Sequence, residues 1–201
     1  MDFFLQFWGG TGYLLAKVLL VRAEFAENDK KIRLVGWIAY LLGLPAWVIL
    51  FANKQDWIAA AMETAGVPAM ILGIVTTWKQ QSNPYKIIDR CIVLFTGLMI
   101  ITGVSYSIYT FNGIKNLSQI LEIISIIGYL IGTNLLAKRN LFAWLMYAQA
   151  HGSMSLLMYI QGKPVLCMEQ VISVILVIIG FIKAIQKNKI ERRERGKPIK
   201  I

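Results

Sequence analysis

The hydrophobic positions of this chain fall into long, nearly unbroken runs and not into alternating or narrow amphipathic stripes. Seven runs can be marked, at 3–21, 34–52, 57–77, 87–111, 117–137, 141–160 and 164–182. Each is close to the roughly 20 residues a helix needs to cross about 30 Å of hydrocarbon. In lipid the backbone must satisfy its own hydrogen bonds, so the runs are expected to be helices and not open strands. The first run is the weakest, because it holds Gln6, Lys17 and a Gly9-Gly10-Thr11-Gly12 patch. Lys17 is near enough to one end for its ammonium to snorkel, and the glycines are expected to allow close helix packing. With no basic stretch and no small-residue cleavage site, this run reads as a retained span, not a signal peptide.

Composition agrees with that pattern. The 201 residues are 57% hydrophobic with a mean hydropathy of +0.58, above the roughly 45–50% apolar content of soluble domains. A net charge of +10 would suit a nucleic-acid partner if it were spread over a folded face. Instead eight of the basic residues lie in the tail 183–201, directly after an apolar run. Such a tail is a topology anchor held to anionic lipid, and no nucleic acid is expected. The connections sort in the same way. Segments 22–33, 78–90, 138–140 and the tail hold seventeen Lys and Arg, whereas the opposite side has only Lys54, Lys115 and Lys163. The positive-inside rule then puts the N-terminus outside and the C-terminus in the cytoplasm. The expected location is a bacterial inner (plasma) membrane, crossed seven times. Cys91 and Cys167 have no metal spacing and offer no disulfide framework.

An internal repeat is visible at a constant offset of 107 residues: Trp37 meets Trp144, Tyr40 meets Tyr147, Leu50 meets Leu157 and Gly73 meets Gly180. Pro45 meets Gly152, so both copies have a helix-loosening residue near mid-membrane, and the segment from Gly10 falls opposite 117–137. Four spans separate the starts of the copies, which makes them parallel and not inverted. The expected architecture is therefore two parallel three-helix repeats joined by a linker helix. Its boundaries are 1–79 for the first repeat, 80–116 for the linker, 117–183 for the second repeat and 184–201 for a basic cytoplasmic tail.

A 3-1-3 arrangement resembles the SWEET-type architecture. The stretch Gly132-Thr133-Asn134-Leu135-Leu136-Ala137-Lys138-Arg139-Asn140, followed by Trp144, Tyr159, Gly162 and Gly180, is similar to the second repeat of the bacterial nicotinamide riboside transporters of the PnuC type. The first repeat echoes it with Gly36-Trp37, Gly43, Gly73 and Trp78. Two positions depart from the family pattern: Leu141 stands where a second Trp is usual, and Ala148 where Asn or Asp often helps hold the substrate. The resemblance implies passive, facilitated movement of a vitamin-like nucleoside, with no ATP-binding part and no cofactor.

Ionisable groups inside a span are candidates for function, because burying a charge in hydrocarbon costs about 2.5–3.5 kcal/mol or more. Glu63, Glu122 and Glu169 each lie five or six residues from the outer end of a span, roughly 8–9 Å deep. Gln170 matches Glu63 under the repeat offset. Together these groups would form an outward vestibule that favours cations; alternatively each bonds a neighbouring helix or snorkels. Nicotinamide riboside is itself an aromatic cation, suited to aromatic walls and acidic groups. His151, the only histidine, shares a helix face with Trp144 and Ala148, while Gln149 points away. It can bind substrate, relay protons or bond a backbone carbonyl. Trp37, Tyr40, Trp144 and Tyr147 are either interfacial belt residues or a stacking surface for a substrate ring. Asn134 is a gate residue or a helix-end cap. Thr102, Ser105 and Ser107 are expected to bond their own backbone.

There is no phosphate-binding glycine loop, no His/Cys metal cluster and no Ser/His/Asp set, so no enzymatic activity is expected. The expected function is facilitative transport of nicotinamide riboside or a related cationic aromatic vitamin. One three-helix bundle would rock against the other around Pro45, Pro68 and Gly152. The alternatives are a carrier of a sugar or another small metabolite, and a non-transporting scaffold acting through the basic tail. The partners are a small-molecule substrate and the lipid bilayer, with self-association into a homo-oligomer left open.

Overall fold

Nearly every apolar run becomes a helix. The computed structural model describes residues 2–26, 28–53, 57–80, 86–162 and 164–194. Among them are α1 (Asp2–Phe25), α2 (Lys30–Asn53), α3 (Trp57–Ala65), α4 (Val67–Lys79), α5 (Lys86–Thr110), α6 (Leu117–Ala137), α7 (Phe142–Ile160) and α8 (Pro164–Glu194), and no strand. Among the described residues five helices are long and apolar enough to cross a membrane: α1, α2, α5, α6 and the part of α8 from Leu166 to Ile190. α5 turns Leu94, Leu98 and Ile101 outward, as a lipid-facing helix does. Lys54, Lys163 and the tail from 195 onward lie outside the described residues.

The structure corrects the expected spans in three places. Run 57–77 is not one helix. Pro68 has no amide to donate to the preceding turn, and the Gly66 amide bonds the Glu63 carbonyl at 3.1 Å in a tight turn between α3 and α4. Run 141–160 does form a helix, α7, but it is not among the five: Gln149, His151, Ser153 and Ser155 dilute its apolar character. The last run does not stop at 182. α8 continues to Glu194, so the start of the basic tail is helical.

The helices close into a ring. α1 packs on α2, α2 on α3 and α4, α4 on α6, α6 on α7, α7 on α8, and α8 back on α1, while α5 lies outside against α3 and α6. α5 is tied there by Gln119, whose side-chain amide donates to the Ser107 carbonyl and hydroxyl at 3.4 and 3.2 Å. Ser107 therefore serves as a contact between helices.

Small residues set the tightest approaches. The glycine patch of α1 does what was expected of it: a Cβ on Gly12 would stand 2.8 Å from the Gly43 Cα, and one on Gly9 2.7 Å from Trp47. Trp37 and Trp144 are not belt residues at the lipid surface; they are 0% and 3% exposed. Trp37 is laid on Gly73 and Trp144 on Gly180, where added Cβ atoms would come within 2.3 and 2.7 Å of the indole rings. Gly73→Ala and Gly180→Ala are each expected to destabilise by about 1–3 kcal/mol, the usual cost of overpacking. Gly97→Ala, whose Cβ meets nothing within 4 Å, is the control. Thermal unfolding in detergent checks this, and equal melting temperatures for all three would refute the packing role.

The turn between α6 and α7 is built by local chemistry. Arg139 adopts a left-handed conformation (φ 56°), and the amides of Arg139 and Asn140 bond the Leu136 and Leu135 carbonyls at 2.9 Å each. This is the Schellman closure of a helix end. The Asn140 side chain then accepts from the Phe142 amide at 2.9 Å and starts α7.

Candidate functional site

Gly10, Tyr13 and Lys17 follow one another on α1 at helical spacing, three and four residues apart, so they share a face. That face looks into the ring. Tyr13 donates to a Glu63 carboxylate oxygen on α3 at 2.5 Å. Lys17 donates to the Ser173 hydroxyl on α8 at 2.9 Å, and Ser173 in turn donates to the Glu169 carbonyl at 2.9 Å. Gly10 leaves room for Glu169, whose two carboxylate oxygens would lie 3.9 Å from a Cβ there. Lys17 is 8% exposed and does not snorkel. Its ammonium turns inward, where a hydroxyl receives it and Glu169 and Glu63 supply opposite charge.

A second cluster adjoins the first. His151 Nδ1 lies 2.8 Å from the Tyr129 hydroxyl and 2.7 Å from the Gln170 carbonyl oxygen, and the same hydroxyl donates to Gln170 at 3.1 Å. Tyr147 meets the Thr133 hydroxyl at 2.8 Å and stacks near His151, with ring centroids 6.0 Å apart. Tyr40 lies in the same buried cluster as Tyr147 and meets Tyr13 edge to face at 4.5 Å. The interior is thus a polar centre enclosed by phenol and imidazole rings. Among the described residues, His151 Nε2, on a residue 1% exposed, and Asn134 Nδ2 on α6, on a residue 6% exposed, have no hydrogen-bond partner. Polar atoms enclosed in this way are normally hydrogen-bonded.

Six of the ten residues singled out from the sequence meet around this centre: Tyr40, Glu63, Tyr147, His151, Glu169 and Gln170. Asn134 caps nothing, since α6 ends through the backbone closure at Arg139 and Asn140. Trp37, Trp144 and Ala148 belong to the packed core beside it. Both indole rings are enclosed, with no open face for a stacked ligand in this conformation. Glu122 stands two turns before Tyr129 on α6. The residues that sequence reasoning missed are Tyr13, Lys17, Tyr129, Thr133 and Ser173. Only Lys17 carried a usable signal, an ionisable group inside an apolar run. Among the described residues no group of three or more His, Cys, Asp or Glu is placed to hold a metal ion.

One end of the ring is closed by ion pairs. Asp29, between α1 and α2, lies 3.2 Å from Arg33, 3.5 Å from Arg139 and 3.4 Å from Lys187, and Arg33 also reaches Glu24 at 2.9 Å. Lys138 pairs with Asp89 at the same end. Lys183 lies over the Phe25 ring at 4.8 Å and Lys30 over the Trp78 ring at 5.3 Å. The connections expected to share one side of the membrane thus meet at one end of the bundle. Burial pushes the Asp29 carboxyl up, but Arg33, Arg139 and Lys187 outweigh it and hold the group below the usual carboxylate range.

Compared with family models, with curated proteins and with solved structures, the chain gives no match.

Proposed function

We propose that this chain is a seven-span facilitative transporter for a small cationic aromatic solute, built from two parallel three-helix repeats. The observation that carries the reading is that packing contacts recur at the 107-residue offset. Trp37 on Gly73 repeats as Trp144 on Gly180, and the junction of α1 with α8 repeats as that of α6 with α4. In this reading α3 and α4 are one broken span, α7 is a span made polar by its site residues, and α5 is the linker. Solute sites of transporters fall at such repeat interfaces, near the bilayer midplane. The basic end would face the cytoplasm of a bacterial inner membrane, in keeping with the positive-inside rule.

The cargo follows from the lining. Carboxylates beside four tyrosines and a histidine suit a flat cation, and Asn134 and His151 offer unused hydrogen bonds to its polar groups. Nicotinamide riboside, suggested by the resemblance to PnuC-type transporters, has this chemistry; thiamine shares it. Proteoliposomes holding the full chain should take up one of these labelled compounds saturably, above empty liposomes. Asn134→Leu should cut that uptake at least about tenfold, the equivalent of about 1.4 kcal/mol of lost binding. Flat uptake across a broad vitamin panel, with sugars carried instead, would replace this cargo by the metabolite alternative.

A further inference from the structure

The contacts of α1 recur in α6, at a spacing different from that of the other matched helices. An added Cβ on Gly12 would stand 2.8 Å from the Gly43 Cα, and one on Gly128 would stand 2.8 Å from the Ala150 Cβ. Tyr13 meets the Tyr40 ring edge to face, and Tyr129 meets the Tyr147 ring in the same manner. Gly43/Ala150 and Tyr40/Tyr147 keep the 107-residue offset, whereas Gly12/Gly128 and Tyr13/Tyr129 are 116 apart. The difference lies at the basic end, where α1 and α2 run on beyond the points at which α6 ends and α7 begins. A constant offset set Gly10 opposite Leu117; the contacts set Tyr13 opposite Tyr129.

This register pairs two polar contacts. The Tyr13 hydroxyl donates to Glu63 Oε2 at 2.5 Å, and the Tyr129 hydroxyl donates to Gln170 Oε1 at 3.1 Å. Glu63 and Gln170 are themselves 107 apart. All four residues are partly buried, unlike the enclosed indoles beside them. The two contacts differ in what they leave over. A carboxylate has about four lone-pair sites on two equivalent oxygens, and Tyr13 takes one, so Glu63 still accepts. An amide has two unlike ends, and its neighbours decide which one faces outward. Here His151 decides it. Gln170 Oε1 cannot donate, so its 2.7 Å contact with His151 Nδ1 is a bond given by Nδ1–H. With Tyr129 and His151 both donating to its oxygen, Gln170 has its amide N–H groups to offer. Leu44 stands at the position matching His151 in the first repeat, where a carboxylate needs no such orientation. We propose that Glu63 and Gln170 are paired specificity residues of the solute site. Glu63 takes a cationic or hydrogen-donating end of the solute, Gln170 takes a hydrogen-accepting end, and His151 is the positioning residue that turns the amide. This rests on the transporter reading above and goes beyond it, since it sets the polarity of both ends of the solute and the direction in which it lies.

The chain has a single histidine, so nitrogen-15 labelling of histidine rings reports on His151 alone. In nanodiscs holding the full wild-type chain, NMR should find the Nδ1–H tautomer with Nε2 bare. An Nε2–H tautomer means that Gln170 presents its oxygen instead, and overturns the proposal. This arm needs no variant, so a misfolded mutant does not hide the result. Uptake of thiamine and nicotinamide riboside into proteoliposomes is the second arm. Glu63→Gln and Gln170→Glu should each cut uptake of the better compound at least about tenfold, and the exchange Glu63→Gln/Gln170→Glu should restore it to within about threefold of the wild type. The solute then lies the other way round. Residues that merely held helices together would not be rescued by trading places. An exchanged chain no better than the worse single variant overturns the proposal, as do single variants that transport like the wild type. His151→Leu should lower uptake in the wild type and cost nothing further in the exchanged chain, where position 170 holds a carboxylate; a further loss there overturns the positioning role. If the wild type carries neither compound, the cargo reading fails, and the comparison is made on whichever vitamin or sugar it carries. A wild type that carries none of them overturns the transporter reading and this proposal with it, whereas transport without rescue overturns this proposal alone.

Discussion

Replacing Asp29 with asparagine is expected to loosen the basic end of the bundle and to lower stability by on the order of 2 kcal/mol. Breaking a fully buried pair costs about 3–5 kcal/mol, because the partner is left charged and alone. Asp29 sits at the rim, where water and salt screen part of that effect. The loss is still large for one residue, since three cations from three elements share this carboxylate, and the Arg33 side chain is only 3% exposed. The pH dependence has a definite sign. The folded carboxyl is held below its usual value, so its contribution is complete at neutral pH and above the free value of about 3.9. It is lost as the pH falls through the lower folded value. Acidification below about pH 4 should therefore cost the wild type a component of stability that Asp29→Asn has already lost. Thermal unfolding in detergent from about pH 3 to 7 reads both, and parallel curves for the two proteins would refute the ion-pair account. The same contacts tie the α1–α2 connection to the α6–α7 turn and to α8, so in the transporter reading they close one mouth of the pathway.

What could be read from the sequence depended on whether a property is one-dimensional. Apolar length is, and the helices lie close to where the runs predicted them. Contacts at constant offset are nearly so, and the matched pairs Trp37/Trp144 and Gly73/Gly180 turn out to make matching contacts. Breaks and continuations were harder. Pro68 after Gly66 splits a span that hydropathy averages into one. The α8 extension stays hidden because hydropathy falls after Ile182 while helix propensity does not: Lys, Gln, Arg and Glu are good helix formers. The site itself was half legible. Glutamates and a histidine in apolar runs stand out, but Tyr13 and Tyr129 look like any interfacial tyrosine. In the sequence Lys17 looks close enough to a span end to reach water. Distance along the chain cannot show that α8 brings Ser173 to meet it.

Removal of the Lys17 ammonium is expected to have the largest effect of any single change inside the ring. In Lys17→Met the hydrocarbon stem keeps its packing, so the loss is electrostatic. Glu63 and Glu169 would then lose the opposite charge that Lys17 supplies, and the cost is expected to be about 3–5 kcal/mol, that of an orphaned buried charge. Charge, and not shape, makes the prediction separable. Glu169→Gln alone leaves Lys17 opposite Glu63 with the charges balanced, so its effect on stability should be small. In the double variant Lys17→Met/Glu169→Gln one negative charge remains, as in the wild type, and much of the lost stability should return. The four proteins make a double-mutant cycle, in which groups sharing one network couple by about 0.5–3 kcal/mol. Unfolding in nanodiscs supplies the four values. If the single effects simply add in the double variant, Lys17 and Glu169 do not share a charge. The ammonium would then be held by its bond to Ser173 alone, and the cluster would lose its claim to act as one site.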